Sequence, residues 1–169
     1  MRFIIDGYNL VHAGRSGPQR GNGDLQGERE RLIDRLAAYR RKKQCEMTVV
    51  FDGWQGGWVT EGRDRQKGID LIFSKLGEKA DEVIKRIVQE QGSAAVVVTS
   101  DREVSQFSER LSVSVIPSEQ FLARITERIL PSSPKGDIPV ESERGEKKKG
   151  PSRRLSKKER RKRSVLNKL

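Results

Sequence analysis

The chain has 169 residues, with 35 Lys and Arg against 24 Asp and Glu, a net charge of +11, and 33% hydrophobic against 35% charged residues. That apolar supply is thin for the length, so part of the chain is expected outside any core; no apolar run approaches the roughly 20 residues that span a bilayer, and no apolar signal region opens the chain. A single cysteine, Cys45, excludes an internal disulfide and a cysteine-based zinc site, and a reducing cytoplasm is the expected compartment.

The first predicted element is a strand, Phe3-Ile4-Ile5, apolar enough to be buried on both faces and ending at Asp6-Gly7-Tyr8-Asn9. Read alone, that ending is a turn. Leu10-Val11-His12-Ala13 and a polar, Gly-rich loop from Gly14 to Gly27 follow, placed where a binding loop is useful. His12 is expected to pack or hydrogen-bond rather than act as a base. From Leu25 to Lys43, Leu32, Ile33, Leu36, Ala37 and Tyr39 recur at helical spacing, and the helix closes on Arg40-Arg41-Lys42-Lys43, cations that suit a helix C-terminus.

Met47 to Phe51 is a second buried strand and also ends in an acid and a glycine, Asp52-Gly53. Trp54 and Trp58, flanked by glycines, are placed to stack on bases or to cover the sheet edge. Glu61 to Lys67 reads as a charged loop, with Arg63, Arg65 and Lys67 as candidate phosphate contacts. Ile69 to Phe73 is a third strand, carrying Asp70 towards solvent or the site. Gly77 to Glu82 opens a helix with Val83, Ile84, Ile87 and Val88 as its apolar stripe, and Asp81 lies at its start, where an acid is favoured. Ala94 to Val98 is a fourth strand running into Thr99-Ser100-Asp101. A helix over 102–111, a strand over 113–116 and a last helix from Pro117-Ser118 to about Leu130, with Ser118 as N-cap, complete the alternation.

Strands alternating with helices predict an α/β fold with about five mostly parallel strands flanked by helices. Composition changes at Pro131, where Pro and Ser form a linker. Residues 141–169 hold 13 Lys/Arg and 4 Asp/Glu, a net +9, leaving residues 1–140 close to balance. The reading is a folded domain over 1–130 and a disordered basic tail over 131–169, with nucleic acid as the tail's partner. Within the tail, Arg153, Arg154, Lys157, Lys158, Arg160 and Arg161 are the expected phosphate contacts, and Ser156 with Glu159 resembles a capping box.

Three acids, Asp6, Asp52 and Asp101, follow strand ends, and Asp81 starts a helix. In a parallel sheet these positions converge on one edge. Clustered carboxylates repel unless a cation joins them, and hard divalent ions such as Mg²⁺ or Mn²⁺ take oxygen ligands and keep waters. Metal-dependent phosphodiester hydrolysis fits that combination, with Asn9 fixing a water or a carboxylate.

Ile5-Asp6-Gly7-Tyr8-Asn9, Val50-Phe51-Asp52-Gly53, Lys79-Ala80-Asp81 and Val98-Thr99-Ser100-Asp101 resemble, in order over roughly residues 1–125, the successive motifs of NYN-domain proteins of the YacP-like branch, within the PIN-like nuclease group. The resemblance implies a PIN-like three-layer α/β fold and metal-dependent RNA endonuclease activity, in a branch that includes a ribosome-associated mRNA endonuclease. It implies Asp6, Asp81 and Asp101 as metal-binding acids, Asn9 as their polar companion, Asp52 as a further acid, and RNA, with the ribosome, as partner. Two features depart from the pattern. Lys79 stands where the branch often has Thr, and only Glu28, Glu30 and Asp34 offer themselves as the extra acid many PIN nucleases carry in the first helix. The contrasting reading is a non-catalytic RNA- or ribosome-binding module that uses the tail. A haloacid-dehalogenase-like phosphatase would want an acid where Tyr8 stands, and no Gly-x-Gly-x-x-Gly follows the first strand to make a dinucleotide site.

Overall fold

The structure, a computed structural model, describes residues 1–15, 25–53 and 59–129, with residues 160 and 164. Six strands form one sheet: β1 (Arg2–Asp6), β2 (Glu46–Phe51), β3 (Gly62–Gln66), β4 (Ile69–Phe73), β5 (Ala95–Val98) and β6 (Ser114–Ile116). Their spatial order is β3-β4-β2-β1-β5-β6, parallel throughout except for the β3–β4 pair. The helices are α1 (Gly7–Ala13), α2 (Leu25–Lys43), α3 (Ala80–Gln91), α4 (Arg102–Arg110) and α5 (Ser118–Ile129).

β1 is central because its side chains are apolar on both faces. It pairs in parallel with β2 through Ile5↔Val49 and with β5 through Ile5↔Val98. Phe3 and Ile5 enter one core layer, with Val49, Val98, Leu36 and Phe121; Ile4 enters the other, with Val50, Val97, Ile84 and Val104. The period-2 alternation of a strand thus feeds two layers. α1, α2 and α5 cover the first layer, where the Phe121 ring lies 5.3 Å from Phe3 and 6.0 Å from Tyr39. α3 and α4 cover the second, α3 through Ala80, Val83, Ile84, Ile87 and Val88, a helical stripe. Each Val or Ile of that stripe contributes about 1.5–3 kcal/mol on burial.

The chain runs from β1 outward through β2 to β4, then crosses to the other side of β1 for β5 and β6. The strand order therefore reverses between β1 and β5, and ligands of open α/β sheets bind outside the carboxyl ends of the strands at such a point. Asp6 and the Thr99–Asp101 segment flank it.

The structure corrects the sequence reading at some places and decides between its alternatives at others. Gly7 to Ala13 is a helix, not a turn, because Asp6 caps it. The charged segment before Lys67 contains a strand, β3, so the strands number six. β3 joins β4 through a two-residue turn in which Lys67 and Gly68 both have positive φ, 52° and 80°, as a type I′ hairpin turn requires. α3 begins at Ala80 rather than Gly77, which adopts φ 82° in the preceding turn. His12 is exposed on the last turn of α1 and packs in neither core layer. Asp70 faces solvent, 3.5 Å from Arg65. Trp54, Trp58, the linker and the tail other than residues 160 and 164 lie outside the described residues. Among the described residues no helix is long and apolar enough to cross a membrane.

Candidate active site

The predicted acids are placed by backbone chemistry before any ligand is considered. Asp6, the last residue of β1, caps α1: its Oδ1 accepts the Asn9 N–H at 3.1 Å, and its Oδ2 accepts the Thr99 hydroxyl at 3.2 Å. Asp101, in the turn after β5, caps α4, with its Oδ1 accepting the Val104 N–H at 2.9 Å. Asp52, one residue past β2, reaches across to α3, where its Oδ1 accepts the Ala80 N–H at 2.6 Å. Lys79 holds the N-cap position of α3 and makes no side-chain cap bond. Asp52 supplies that cap from another strand, and so ties the start of α3, with Asp81, to the sheet edge.

The four carboxylates sense one another. Asp6 is only 7% exposed, and burial pushes its carboxyl up to about 6, against the hydrogen bonds from Asn9 and Thr99 and with the charges of Asp81 and Asp52 adding to the rise. Asp81 is also raised, by burial first and then by Asp101 and Asp52, while the Lys85 ammonium opposes. Lys85 is itself held by Glu82 at 2.9 Å and by Glu103. The strand-end acids and Asp81 therefore form one electrostatic cluster at the switch point. Among the described residues no group of three or more His, Cys, Asp or Glu side chains is placed so that it could hold a metal ion as it stands.

Asn9 is bound into the same edge. Its backbone N–H holds Asp6, and its side-chain Oδ1 accepts both the Ser100 N–H at 2.9 Å and the Ser118 hydroxyl at 2.8 Å. The Ser100 hydroxyl donates to Glu119 at 2.6 Å and accepts the Ser118 N–H at 3.0 Å. Thr99 Oγ1 accepts the Asp101 N–H at 3.0 Å while donating to Asp6, so one hydroxyl links two of the acids. Ser118, expected as an N-cap, spends its hydroxyl on Asn9 instead. Thr99, Ser100 and Glu119 were missed as site residues; the available signal was the run of hydroxyls between an all-valine strand and Asp101.

The other predicted positions fall elsewhere. Arg63 and Arg65 lie on edge strand β3, paired with Glu61 at 2.8 Å and Asp70 at 3.5 Å, and Lys67 in the hairpin turn is paired with Asp34. Of the candidates for an extra acid, Glu28 is held by Arg15, Glu30 accepts from Gln26, and Asp34 meets Lys67. Of the predicted tail contacts, Arg160 is described, and it is exposed and helical; the rest lie outside the described residues.

On the α2 side of the edge, Tyr8 packs edge-on against Phe51 at 5.2 Å. Burial raises its phenol, and the neighbouring Arg29 guanidinium opposes the rise while Asp52 adds to it. The Arg29 Cζ lies 5.8 Å and 5.3 Å from the centroids of Phe51 and Phe73, which stack on each other at 5.8 Å. Arg29 was also missed, since a lone arginine on a charged helix face carries no signal in one dimension.

A family model described as the YacP-like NYN domain matches residues 3–168. The chain is 28% identical over 105 residues to the uncharacterized protein YacP of Bacillus subtilis (strain 168), a match that spans 59% of each chain. Its fold resembles two crystal structures of Rae1 (YacP) from Bacillus subtilis. One, of a point mutant, has a TM-score of 0.62 at 23% identity over 76% of both chains. The other has a TM-score of 0.58 at 24% identity over 76% of this chain and 75% of that one.

Proposed function

The chain belongs to the YacP-like NYN domain family, with its nuclease-type PIN-like fold, and we propose from this and from the acidic edge that it is a metal-dependent RNA endonuclease. The observation that carries the reading is the convergence of Asp6, Asp52, Asp81 and Asp101 at the sheet's switch point, where burial first, and then the charges of Asp81 and Asp52, raise the Asp6 carboxyl. The donor chemistry suits a hard divalent ion: all four groups are carboxylates, Oδ1 of Asp6, of Asp52 and of Asp101 each accepts from a helix N-terminus while Oδ2 of Asp6 accepts the Thr99 hydroxyl, and Mg²⁺ commonly binds through one or two carboxylates while keeping waters for the rest of its shell.

Asp6, Asp81 and Asp101, with Asp52, would hold Mg²⁺ or Mn²⁺, which when bound supplies neutralisation of phosphate charge and a water of lowered pKa. The chain's own part is orientation. The Asn9 N–H and Thr99 hydroxyl fix both oxygens of Asp6, Thr99 couples Asp6 to the Asp101 backbone, and Asn9 locks α1 to the β5–α4 turn and to the start of α5. Asn9 is in this account a positioning residue. RNA is the substrate, and the basic tail adds sequence-independent grip.

Cleavage of a labelled RNA with Mg²⁺ or Mn²⁺ tests this. Asp6→Asn and Asp101→Asn are each expected to lower the rate at least about 100-fold, beyond the range typical of outer-shell partners. Cleavage by both variants at the wild-type rate would remove the site.

One observation favours a second reading. Asp6, Asp52 and Asp101 all cap helices, a structural duty that a non-catalytic RNA- or ribosome-binding module would also keep. Such a module binds RNA through the tail with no dependence on Mg²⁺ or Mn²⁺ and cleaves nothing.

A further inference from the structure

We propose that Arg29 is a phosphate-binding residue that grips the RNA backbone on the α1–α2 side of the acidic edge, an assignment that rests on reading this edge as the RNA site. Phe51 is the last residue of β2, immediately before Asp52, and Phe73 is its register partner at the end of β4. The guanidinium therefore lies over a stacked aromatic pair at the carboxyl ends of the strands, next to Tyr8, two residues past Asp6.

Its surroundings suit a ligand of opposite charge. Arg15, Arg63, Arg65 and Arg86 each pair with a carboxylate; among the described residues, no carboxylate pairs with Arg29. The guanidinium, poised over the two rings and hydrogen-bonded to the Tyr8 oxygen, keeps further N–H donors of its planar fork for a phosphate. The aromatic pair also restricts the side chain before binding, which lowers the ordering cost. An edge of four carboxylates repels a polyanion on approach, and Arg29 places a positive group beside it, where a phosphate flanking the bond to be cut would lie.

The test measures binding of a labelled single-stranded RNA to the full chain in chelator across a salt series, beside the cleavage assay. Arg29→Met is expected to weaken binding about 5-fold regardless of RNA sequence and to reduce the slope of log Kd against log salt by about 0.7, the value for one phosphate contact on a single strand. Arg29→Lys should keep the slope and lose part of the affinity, because an ammonium lacks the planar fork. Arg2→Met, which deletes the same charge at the opposite end of β1, should change neither. Wild-type affinity and slope in Arg29→Met overturn the assignment, and so does an unchanged slope with a lowered melting midpoint, which marks a packing role on Phe51 and Phe73. A wild-type chain that binds RNA but never cleaves it counts against the nuclease alone; the salt slope still decides Arg29.

Discussion

Asp6 shows how one side chain does two jobs. As a cap it fixes the start of α1, and as a buried acid among other acids it is costly to ionise. Its carboxyl titrates near 6 in the fold against 3.8 normally, so between those values the native protein holds a proton that the unfolded chain has released. This contribution to stability is largest below about pH 4, declines as pH rises towards 6 and is then flat, by on the order of 3 kcal/mol at 1.36 kcal/mol per pKa unit. A cation that binds the ionised edge offsets the cost by mass action. In chelator, the melting midpoint should fall from pH 4 to 6; at pH 8, added Mg²⁺ should raise it with increasing concentration. Asp6→Asn should flatten the pH segment and lose most of the Mg²⁺ effect. A wild-type midpoint at pH 8 that ignores Mg²⁺ and Mn²⁺ would count against the metal site.

The elements are joined where backbone approaches backbone. Gly53 follows Asp52, and a Cβ there would stand 1.9 Å from the Ser74 carbonyl oxygen. The Gly53 N–H also donates to the buried Ser74 hydroxyl at 3.1 Å. Gly53→Ala must therefore push apart the ends of β2 and β4, at about 1–3 kcal/mol for an overpacked site. Denaturant unfolding should show a lower midpoint at unchanged m, and cleavage should drop as well because Asp52 moves with the loop. Gly68→Ala should also destabilise, since φ 80° disfavours a side chain and the new Cβ would stand 2.6 Å from the Arg40 guanidinium. The apolar strands and the helical stripes of α2 and α3 were legible because burial imposes a period on sequence. β3 was not: Gly-Arg-Asp-Arg-Gln has no apolar face to repeat, and it is an edge strand defined by hydrogen bonds to β4 alone, where charges also discourage edge-to-edge pairing.

For the whole molecule, the proposed function assigns recognition and chemistry to different parts. The tail carries most of the net charge, and on that proposal the acidic edge carries the reacting groups. Replacing Arg153, Arg154, Lys157 and Lys158 by Gln in the full chain should raise KM for RNA and flatten its salt dependence, with kcat nearly unchanged. A fall in kcat with KM unchanged would place the tail in the chemistry instead. Sequence alone determined the alternating strands and helices, the two-sided burial of β1, and the acids Asp6, Asp52 and Asp101 that follow strand ends, because each depends on residues adjacent along the chain. Tertiary structure alone decided that Asp52 caps α3, that Thr99 links Asp6 to Asp101, that Asn9 is shared by Ser100 and Ser118, and that Arg29 rests on Phe51 and Phe73. Most of these contacts join residues 20 to more than 100 positions apart, and a hydrogen bond or a ring face leaves no periodic trace in the chain that forms it.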